Sequence, residues 1–204
     1  MTRNRTVALA IIDMQNDFVL PGAPACVEGA MGTVPVIAGL LAKARAEGWM
    51  VLHVVRAHRA DGSDAEKSRE HLFLEGGGLC VAGTPGAEIV AGLEPASGET
   101  VLVKTRFSAF MGTECDMLLR RRGVDTLLVS GTQYPNCIRG TAVDAFALDY
   151  DVVVVTDACS ARTPGVAESN INDMRAMGIT CVPLTALDDV LARRPVPSGP
   201  PPRC

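Results

Sequence analysis

The sequence predicts a three-layer α/β fold, in which helices cover both faces of a six-stranded parallel sheet. Two observations predict it. Six short apolar segments alternate along the chain with segments that repeat apolar residues every three or four positions. The apolar segments are continuous rather than alternating, which is typical of strands buried on both faces. We expect right-handed crossovers, the strand order 3-2-1-4-5-6, one domain over residues 1–194 and a proline-rich tail over residues 195–204.

Three strands are predicted in the first half of the chain, at residues 6–12, 50–55 and 100–103. A helix separates the first two, with Thr33 as its N-cap, Pro35 in its first turn and Gly48 after its last apolar residue. Periodicity fades between residues 56 and 97. A loop of that length inside an α/β chain usually covers a binding site or carries partner contacts.

The second half alternates strands and helices more regularly. Its predicted strands cover residues 126–129, 151–156 and 179–183. Its predicted helices cover residues 113–122, 137–150, 166–177 and 185–193. The strand at 126–129 and the helix at 137 are joined by a turn that contains Gly131 and Pro135, two residues typical of turns.

Composition excludes several classes of protein. Apolar residues make up 48% of the 204 residues, which argues against disorder, and the net charge of -4 argues against nucleic-acid binding. No apolar run reaches the roughly 18 residues that span a membrane. Seven cysteines without a CxxC pair, together with an N-terminus that lacks a signal-peptide pattern, predict reduced thiols and a cytoplasmic location.

Three reactive residues follow predicted strands. Asp13 ends the first strand, Lys104 ends the third, and Cys137 lies in the turn after the fourth. Ligands of such folds bind at the carboxyl ends of the strands, so these groups are expected to converge. Because Cys137 begins a predicted helix, unpaired amides and the helix dipole predict that its thiol ionises.

This combination suits attack of a thiolate on a carbonyl carbon. Asp13 could accept the thiol proton and later give it to a leaving amine, while Lys104 keeps the thiolate charged. Backbone amides of the turn could stabilise the oxyanion. Each residue alone also has a structural explanation, as a buried cysteine, a strand-end lysine or a turn cap. In the predicted strand order Lys104 lies two strands from Asp13, about 10 Å away at the backbone, so its side chain has to reach across.

Several motifs resemble those of the isochorismatase-like cysteine hydrolases, the superfamily that includes nicotinamidase, N-carbamoylsarcosine amidohydrolase and ureidoacrylate amidohydrolase. They are Ala10-Ile-Ile-Asp-Met-Gln-Asn-Asp-Phe18, Lys104-Thr-Arg-Phe-Ser-Ala-Phe110, Val129-Ser-Gly-Thr-Gln-Tyr-Pro-Asn-Cys137 followed by Thr141-Ala-Val-Asp-Ala145, and Val155-Thr-Asp-Ala158.

The resemblance implies a Rossmann-like isochorismatase fold and a catalytic triad of Asp13, Lys104 and Cys137. It also implies a cis peptide bond between Thr132 and Gln133, which would aim the turn amides at the substrate as an oxyanion site. The implied reaction is hydrolysis of the C–N bond of a small amide, ureido or carbamoyl compound through a thioester, with release of ammonia and without a cofactor. A homodimer or homotetramer is implied as well.

The sequence departs from the superfamily pattern in two places. Pro135 removes one amide from the turn, which leaves fewer backbone donors for an oxyanion. Nicotinamidase-like members carry a metal-binding Asp-x-His with a further His after the second strand, and the segment that begins at Arg56 does not match that spacing. His58, Asp61 and His71 could gather around zinc, but no tight ligand pair is visible and we expect no metal.

Candidates for the substrate pocket come from residues near the triad. Phe18, Phe107 and Tyr134 are expected to form its walls, although core packing explains aromatic residues equally well. Arg69 and Arg106 are candidates to bind a substrate carboxylate with two hydrogen bonds, or else are surface or structural arginines.

Two other functions stay open from the sequence. One is an isochorismatase-type hydrolysis of a vinyl ether or another non-amide bond, with Cys137 as a bystander. The other is a thiol sensor or binding protein without catalytic activity on the same fold. The cysteine in the turn favours amide hydrolysis over the first, because a vinyl-ether hydrolase of this superfamily lacks it. The seven cysteines give slight support to the second.

Overall fold

The computed structural model describes residues 5–75 and 77–192, so the predicted tail at residues 195–204 lies outside the described part. The predicted fold is confirmed: one parallel sheet of six strands has the order 3-2-1-4-5-6. The strands are β1 (Val7–Ile12), β2 (Met50–Arg56), β3 (Thr100–Lys104), β4 (Thr126–Thr132), β5 (Asp151–Ser160) and β6 (Thr180–Val182).

The helices follow the strands in the expected alternation. They are α1 (Asn16–Val19), α2 (Ala30–Ala46), α3 (His71–Glu75), α4 (Cys115–Arg121), α5 (Arg139–Ala147), α6 (Pro164–Ala176) and α7 (Leu187–Ala192). A π-helical turn, Tyr134–Ile138, directly precedes α5. Within residues 5–75 and 77–192, none of the helices has the length and apolar character needed to cross a membrane.

Two apolar cores lie on opposite faces of the sheet, as the alternation of side chains along each strand requires. Leu9 and Ile11 of β1 pack with α1, α2 and α7, whereas Ala10 and Ile12 pack with α4, α5 and α6. Every residue of β1 is buried, which explains why its sequence is continuously apolar. Cys137 belongs to the second of these cores.

The pairing register of the sheet aligns the carboxyl ends of four strands. Ile12 pairs with Val54 on one side and with Gly131 on the other, and Arg56 pairs with Lys104. The last residues of β1, β2, β3 and β4 therefore meet at one edge. That edge carries the side chains predicted to be reactive.

The start of α2 differs from the prediction. Thr33 lies inside the helix rather than at its N-cap, and its hydroxyl donates a hydrogen bond to the Ala30 carbonyl at 2.8 Å. Gly29 is the residue before the helix, and Ala30 is fully buried. The helix therefore begins about one turn earlier than its capping signals indicate.

The loop predicted between residues 56 and 97 contains short elements. The 3₁₀ turns Lys67–Arg69 and Pro85–Ala87 and the short α3 interrupt it. Single bridges join His58 to Val81 and Gln15 to Ile89. These contacts fold the loop back over the ends of β1 and β2.

Candidate active site

Asp13 follows β1 in a backbone conformation that few residues other than glycine adopt, with φ of 53°. Its amide donates to the Val54 carbonyl at 2.8 Å, and its side chain is 1% exposed. Gly131 makes this arrangement possible, because a Cβ atom there would lie 2.1 Å from the Ile12 carbonyl oxygen. The cysteine turn can approach Asp13 closely only with glycine at that position.

Lys104 reaches across β2 to Asp13. Its ammonium donates to Asp13 Oδ2 at 2.8 Å and to the Arg106 carbonyl at 3.2 Å. The lysine side chain is fully buried, so its charge is balanced by Asp13 rather than by water. The separation of two strands is therefore bridged by the length of the side chain.

Cys137 lies in the π-helical turn Tyr134–Ile138, one residue before that turn ends, and is 3% exposed. The prediction that its thiol ionises readily is wrong for the resting protein. Burial, reinforced by the Asp13 carboxylate, raises the pKa of the Cys137 thiol above its ordinary value, and Lys104 and Arg56 only partly oppose this. The thiol therefore needs a proton acceptor at the moment of attack.

The peptide bond between Thr132 and Gln133 is cis. The Asn136 and Ile138 amides donate to the Gln133 carbonyl at 3.2 and 3.3 Å, so the turn itself occupies them. The Thr132 hydroxyl accepts a hydrogen bond from Ser160 at 2.8 Å. These two amides are therefore not free to bind a substrate oxygen.

Arg56 is the site residue that sequence reasoning missed. It ends β2, is fully buried and forms two hydrogen bonds with Glu66, at 2.8 and 3.0 Å. Its Nη2 atom lies 3.8 Å from Cys137 Sγ, and its Nε atom lies 3.7 Å from Asp13 Oδ2. A guanidinium group thus contacts both the thiol and the carboxylate.

The signal for Arg56 was present in the sequence. Arg56 follows a buried strand directly, just as Lys104 does, and a charged residue in that position was the reason to select Lys104. Apolar patterning ends at residue 55, so the sequence predicts Arg56 in the long loop, whereas the structure places it in β2. Glu66 has no comparable local signal, because only the folded loop brings it to Arg56.

Gln15 holds the end of β2 in place. Its side-chain amide accepts a hydrogen bond from the Arg56 amide and donates one to the Arg56 carbonyl, both at 2.7 Å. It also donates to the Ala87 carbonyl at 2.7 Å. Gln15, which follows β1, therefore links the backbone of Arg56 to the backbone of the long loop.

A cavity of about 430 Å³ opens beside the cysteine turn. Phe107 and Pro135 contribute apolar surface, and Glu66 contributes a carboxylate. Arg106 and Arg139 contribute cationic side chains. The volume suits a small molecule.

Phe107 is the predicted aromatic residue that lines this cavity. The guanidinium groups of Arg56 and Arg69 lie 5.6 and 5.1 Å from its ring centre. Arg69 Nη1 is buried and has no hydrogen-bond partner among the described residues. Arg106 donates through Nη1 to the carbonyls of Asp64 and Thr105, which gives it a structural role in the loop.

Two of the predicted pocket walls are core residues instead. Tyr134 is fully buried, and its hydroxyl donates to the Thr156 carbonyl at 3.1 Å. Phe18 packs in the core on the opposite face of the sheet from Cys137. Neither lines the cavity beside the cysteine turn, because the sheet and the helices cover both rings.

The residues considered for zinc do not fit a cation. His58 Nε2 faces Arg56 Nη1 at 3.3 Å, and His58 Nδ1 faces Asp64 at 3.3 Å, so both ring nitrogens are engaged. Asp61 and His71 are exposed, and within the described ranges no three His, Cys, Asp or Glu side chains form a group that could hold a metal. The neighbouring guanidinium would also repel a cation.

Comparisons with known proteins agree with the geometry. Residues 7–186 match the family model of the isochorismatase domain. A probable inactive nicotinamidase of Arabidopsis thaliana is 43% identical over 93% of this chain and 98% of its own. The maleamate amidohydrolase of Pseudomonas putida is 34% identical over 83% of this chain and 79% of its own. The crystal structure of a cysteine hydrolase from Pseudomonas syringae pv. phaseolicola has a TM-score of 0.83 at 26% identity, covering 91% of this chain and 92% of that one.

Proposed function

The chain belongs to the isochorismatase domain family, as its motifs predicted, and from that premise we propose that it is a cysteine-dependent amidohydrolase. Its substrate would be a small amide, ureido or carbamoyl compound, whose C–N bond it cleaves with release of ammonia. One observation carries the proposal: the buried Cys137 thiol lies in a cluster with the Asp13 and Lys104 ion pair, beside a cavity for a small molecule.

In the first step Asp13 accepts the proton of the Cys137 thiol. The sulfur electron pair forms a bond to the carbonyl carbon, and the π electrons of the carbonyl move to its oxygen. Lys104 holds the Asp13 carboxylate in place through its hydrogen bond of 2.8 Å. A raised thiol pKa makes this base necessary, since little thiolate is present beforehand.

In the second step the tetrahedral intermediate collapses and the C–N bond breaks. The proton held by Asp13 passes to the leaving nitrogen, so ammonia departs and a thioester remains on Cys137. Oxyanion stabilisation comes from amides of the turn other than those of Asn136 and Ile138, which donate to Gln133.

In the third step water attacks the thioester, and Asp13 accepts a proton from that water. The carboxylic acid leaves, and the Cys137 sulfur takes a proton back. The balance is one amide and one water consumed, with one acid and one ammonia formed.

The relatives narrow the substrate only to a class. One similar protein is named a maleamate amidohydrolase, which favours a small amide. Another is named a probable inactive nicotinamidase, which gives no support for nicotinamide as the substrate of this chain. We therefore propose small aliphatic amides and ureido or carbamoyl acids first.

The test is an ammonia-release screen over small primary amides, carbamoyl compounds and ureido acids, with Cys137→Ser as the blank. The proposal predicts ammonia from at least one compound with the natural protein and none with Cys137→Ser. Equal release by both proteins would favour hydrolysis in which the thiol is a bystander. A normal cellular role for Cys137→Ser with no ammonia from any compound would favour a binding protein.

A further inference from the structure

We propose that Arg56 is a further catalytic residue, whose guanidinium stabilises negative charge on both Asp13 and Cys137 during proton transfer, and that Glu66 positions it. This inference rests on the proposed function for its place in a reaction. Its physical content, a charge that favours the Cys137 thiolate, is measurable without any amide substrate.

The guanidinium of Arg56 lies close to both Asp13 and Cys137. Its Nε atom lies 3.7 Å from Asp13 Oδ2, and its Nη2 atom lies 3.8 Å from Cys137 Sγ. These are the acceptor and the donor of the proposed proton transfer. One rigid, planar cation therefore faces the negative charge before the transfer, when it is on the carboxylate, and after it, when it is on the sulfur.

The charged side chains around the Cys137 thiol balance one another. Asp13 and Glu66 are acids, whereas Lys104 and Arg56 are bases, so the ion pairs sum to zero while the thiol is neutral. Moving the proton from Cys137 to Asp13 neutralises the carboxylate and puts its negative charge on the sulfur, so the total charge of these side chains and Cys137 together stays at zero. The cluster thus accommodates either protonation state without acquiring a net buried charge, which would be costly.

Arg56 is held rigidly by its neighbours. Both of its Nη atoms bond Glu66, at 2.8 and 3.0 Å, and Nη1 also faces His58 Nε2 at 3.3 Å. Gln15 fixes its backbone, and Phe107 lies against its guanidinium. A cation that does not rearrange during a reaction stabilises developing charge most effectively.

Two buried polar atoms beside the thiol lack hydrogen bonds among the described residues. Arg56 Nε and Asp13 Oδ1 are buried and have no hydrogen-bond partner among the described residues. Both belong to groups beside the thiol. Hydrogen bonds of catalytic groups are often long before substrate binds and shorten in the reacting complex.

The charges that face the two groups come from several elements. Asp13 after β1, Arg56 at the end of β2 and Lys104 at the end of β3 act on Cys137. Burial lowers the pKa of Arg56, but Asp13, Cys137 and Glu66 outweigh it and raise that pKa, so the guanidinium stays protonated.

Three further titratable groups lie near the guanidinium. Burial, followed by the charge of Arg56, lowers the pKa of His58, which favours a neutral ring. Burial alone raises the pKa of Glu66, but the hydrogen bonds and the charge of Arg56, together with smaller contributions from the Glu66 backbone and from Arg69, outweigh this and lower it. Cys80 is a second buried thiol that senses Arg56 and Lys104, so any labelling has to be resolved by position.

The experiment measures the rate of alkylation of Cys137 by iodoacetamide as a function of pH, with peptide mass spectrometry to separate it from the other cysteines. The variants are Arg56→Met combined with Glu66→Gln, which removes both charges together, and Arg56→Lys. The control is Arg45→Met combined with Glu99→Gln, the same chemical change in an Arg–Glu pair away from the thiol.

We expect the double variant at Arg56 to raise the apparent pKa of Cys137 by about one unit or more and to slow alkylation at pH 7 about tenfold. The control keeps the natural profile. Arg56→Lys slows alkylation severalfold, because an ammonium cannot contact Asp13 and Cys137 together. A folded double variant with an unchanged profile would overturn the proposal.

If the double variant fails to fold, Arg56→Lys decides, and an unchanged profile in that variant also overturns the role of Arg56. Alkylation separates this proposal from the proposed function. A shifted profile with no ammonia release from any amide leaves Arg56 as the stabiliser of the thiolate and rejects amide hydrolysis. Ammonia release together with an unshifted alkylation profile supports amide hydrolysis and rejects the role of Arg56.

Discussion

Two Arg–Glu pairs stand at opposite ends of the sheet, and their surroundings give them different consequences. The inner pair, Arg56 with Glu66, has a fully buried arginine beside Cys137. The outer pair, Arg45 with Glu99, has an arginine side chain that is 39% exposed. Both pairs make two hydrogen bonds of 2.7 to 3.0 Å.

The partners beyond each pair explain the difference. The outer glutamate also accepts hydrogen bonds from the Ala96 amide and from His53, both at 2.8 Å, and so ties β2 to the start of β3. The inner arginine instead faces a thiol and a carboxylate that can exchange a proton. The same pairing therefore joins two strands at one end of the sheet, and at the other end it holds the guanidinium that we propose stabilises the reacting thiol.

The largest expected effect comes from Asp13→Asn, which removes the acceptor that the inner cluster surrounds. We expect kcat/KM for ammonia release to fall about 10²-fold to 10⁴-fold, the range typical of lost general base catalysis. Steady-state kinetics on a compound identified by the screen measures it, with Asp188→Asn on the surface as the control. A near-normal rate would remove Asp13 from the mechanism.

The next effect concerns buried and exposed lysine pairs. Lys104→Met leaves the Asp13 carboxylate buried without its closest cation, so we expect the free energy of unfolding to fall by about 3 kcal/mol. Lys43→Met breaks a pair with Asp188, whose side chain is 75% exposed, and should cost less than about 1 kcal/mol. Urea unfolding compares the two, and equal losses would contradict the account.

Replacing each of the two glutamates with glutamine distinguishes an effect on the free energy of unfolding from an effect on kcat/KM. Glu66→Gln and Glu99→Gln should each lower the free energy of unfolding by about 2 kcal/mol, because each loses hydrogen bonds to charged groups. Only Glu66→Gln should also lower kcat/KM, by about tenfold, since Glu66 positions Arg56. Paired measurements of unfolding and ammonia release test this, and a similar loss of activity in Glu99→Gln would end the distinction.

The smallest effect is a pH dependence of the outer pair. Hydrogen bonds from Arg45 are the largest cause that lowers the pKa of Glu99 from 4.5 to about 2. A carboxyl group with a lowered pKa stabilises the fold fully above its unfolded pKa, and this contribution disappears as pH falls through the folded pKa. The difference in unfolding free energy between the natural protein and Glu99→Gln should therefore shrink between about pH 4.5 and 2. A constant difference would argue against the lowered pKa.

The sequence was sufficient for the fold, because continuous apolar strands and alternating helices leave few topologies. It also selected Asp13, Lys104 and Cys137, which the structure gathers at one edge. It missed the full length of β5, which continues to Ser160 and pairs again with β4 after an irregularity near Gly131. The apolar pattern that predicts a strand ends at Thr156. The part of β5 that follows is recognised as a strand only because it pairs with β4.

Other features depend on contacts that no local pattern encodes. The pKa of Cys137 is raised by burial, and its burial follows from how the loop and the sheet close around it. Proximity in sequence to the triad predicts Tyr134 and Phe18 in the pocket, whereas both side chains point into the cores. Glu66 becomes part of the site through a contact with Arg56 that spans ten positions in the chain.

The most direct test of the central claim follows two quantities in one sample of protein treated with iodoacetamide. One is the fraction of Cys137 that is alkylated, from peptide mass spectrometry, and the other is the remaining rate of ammonia release. We predict that the rate falls in proportion to alkylation and reaches zero when Cys137 is fully modified. Sustained ammonia release from fully alkylated protein would contradict a role for this thiol as the nucleophile.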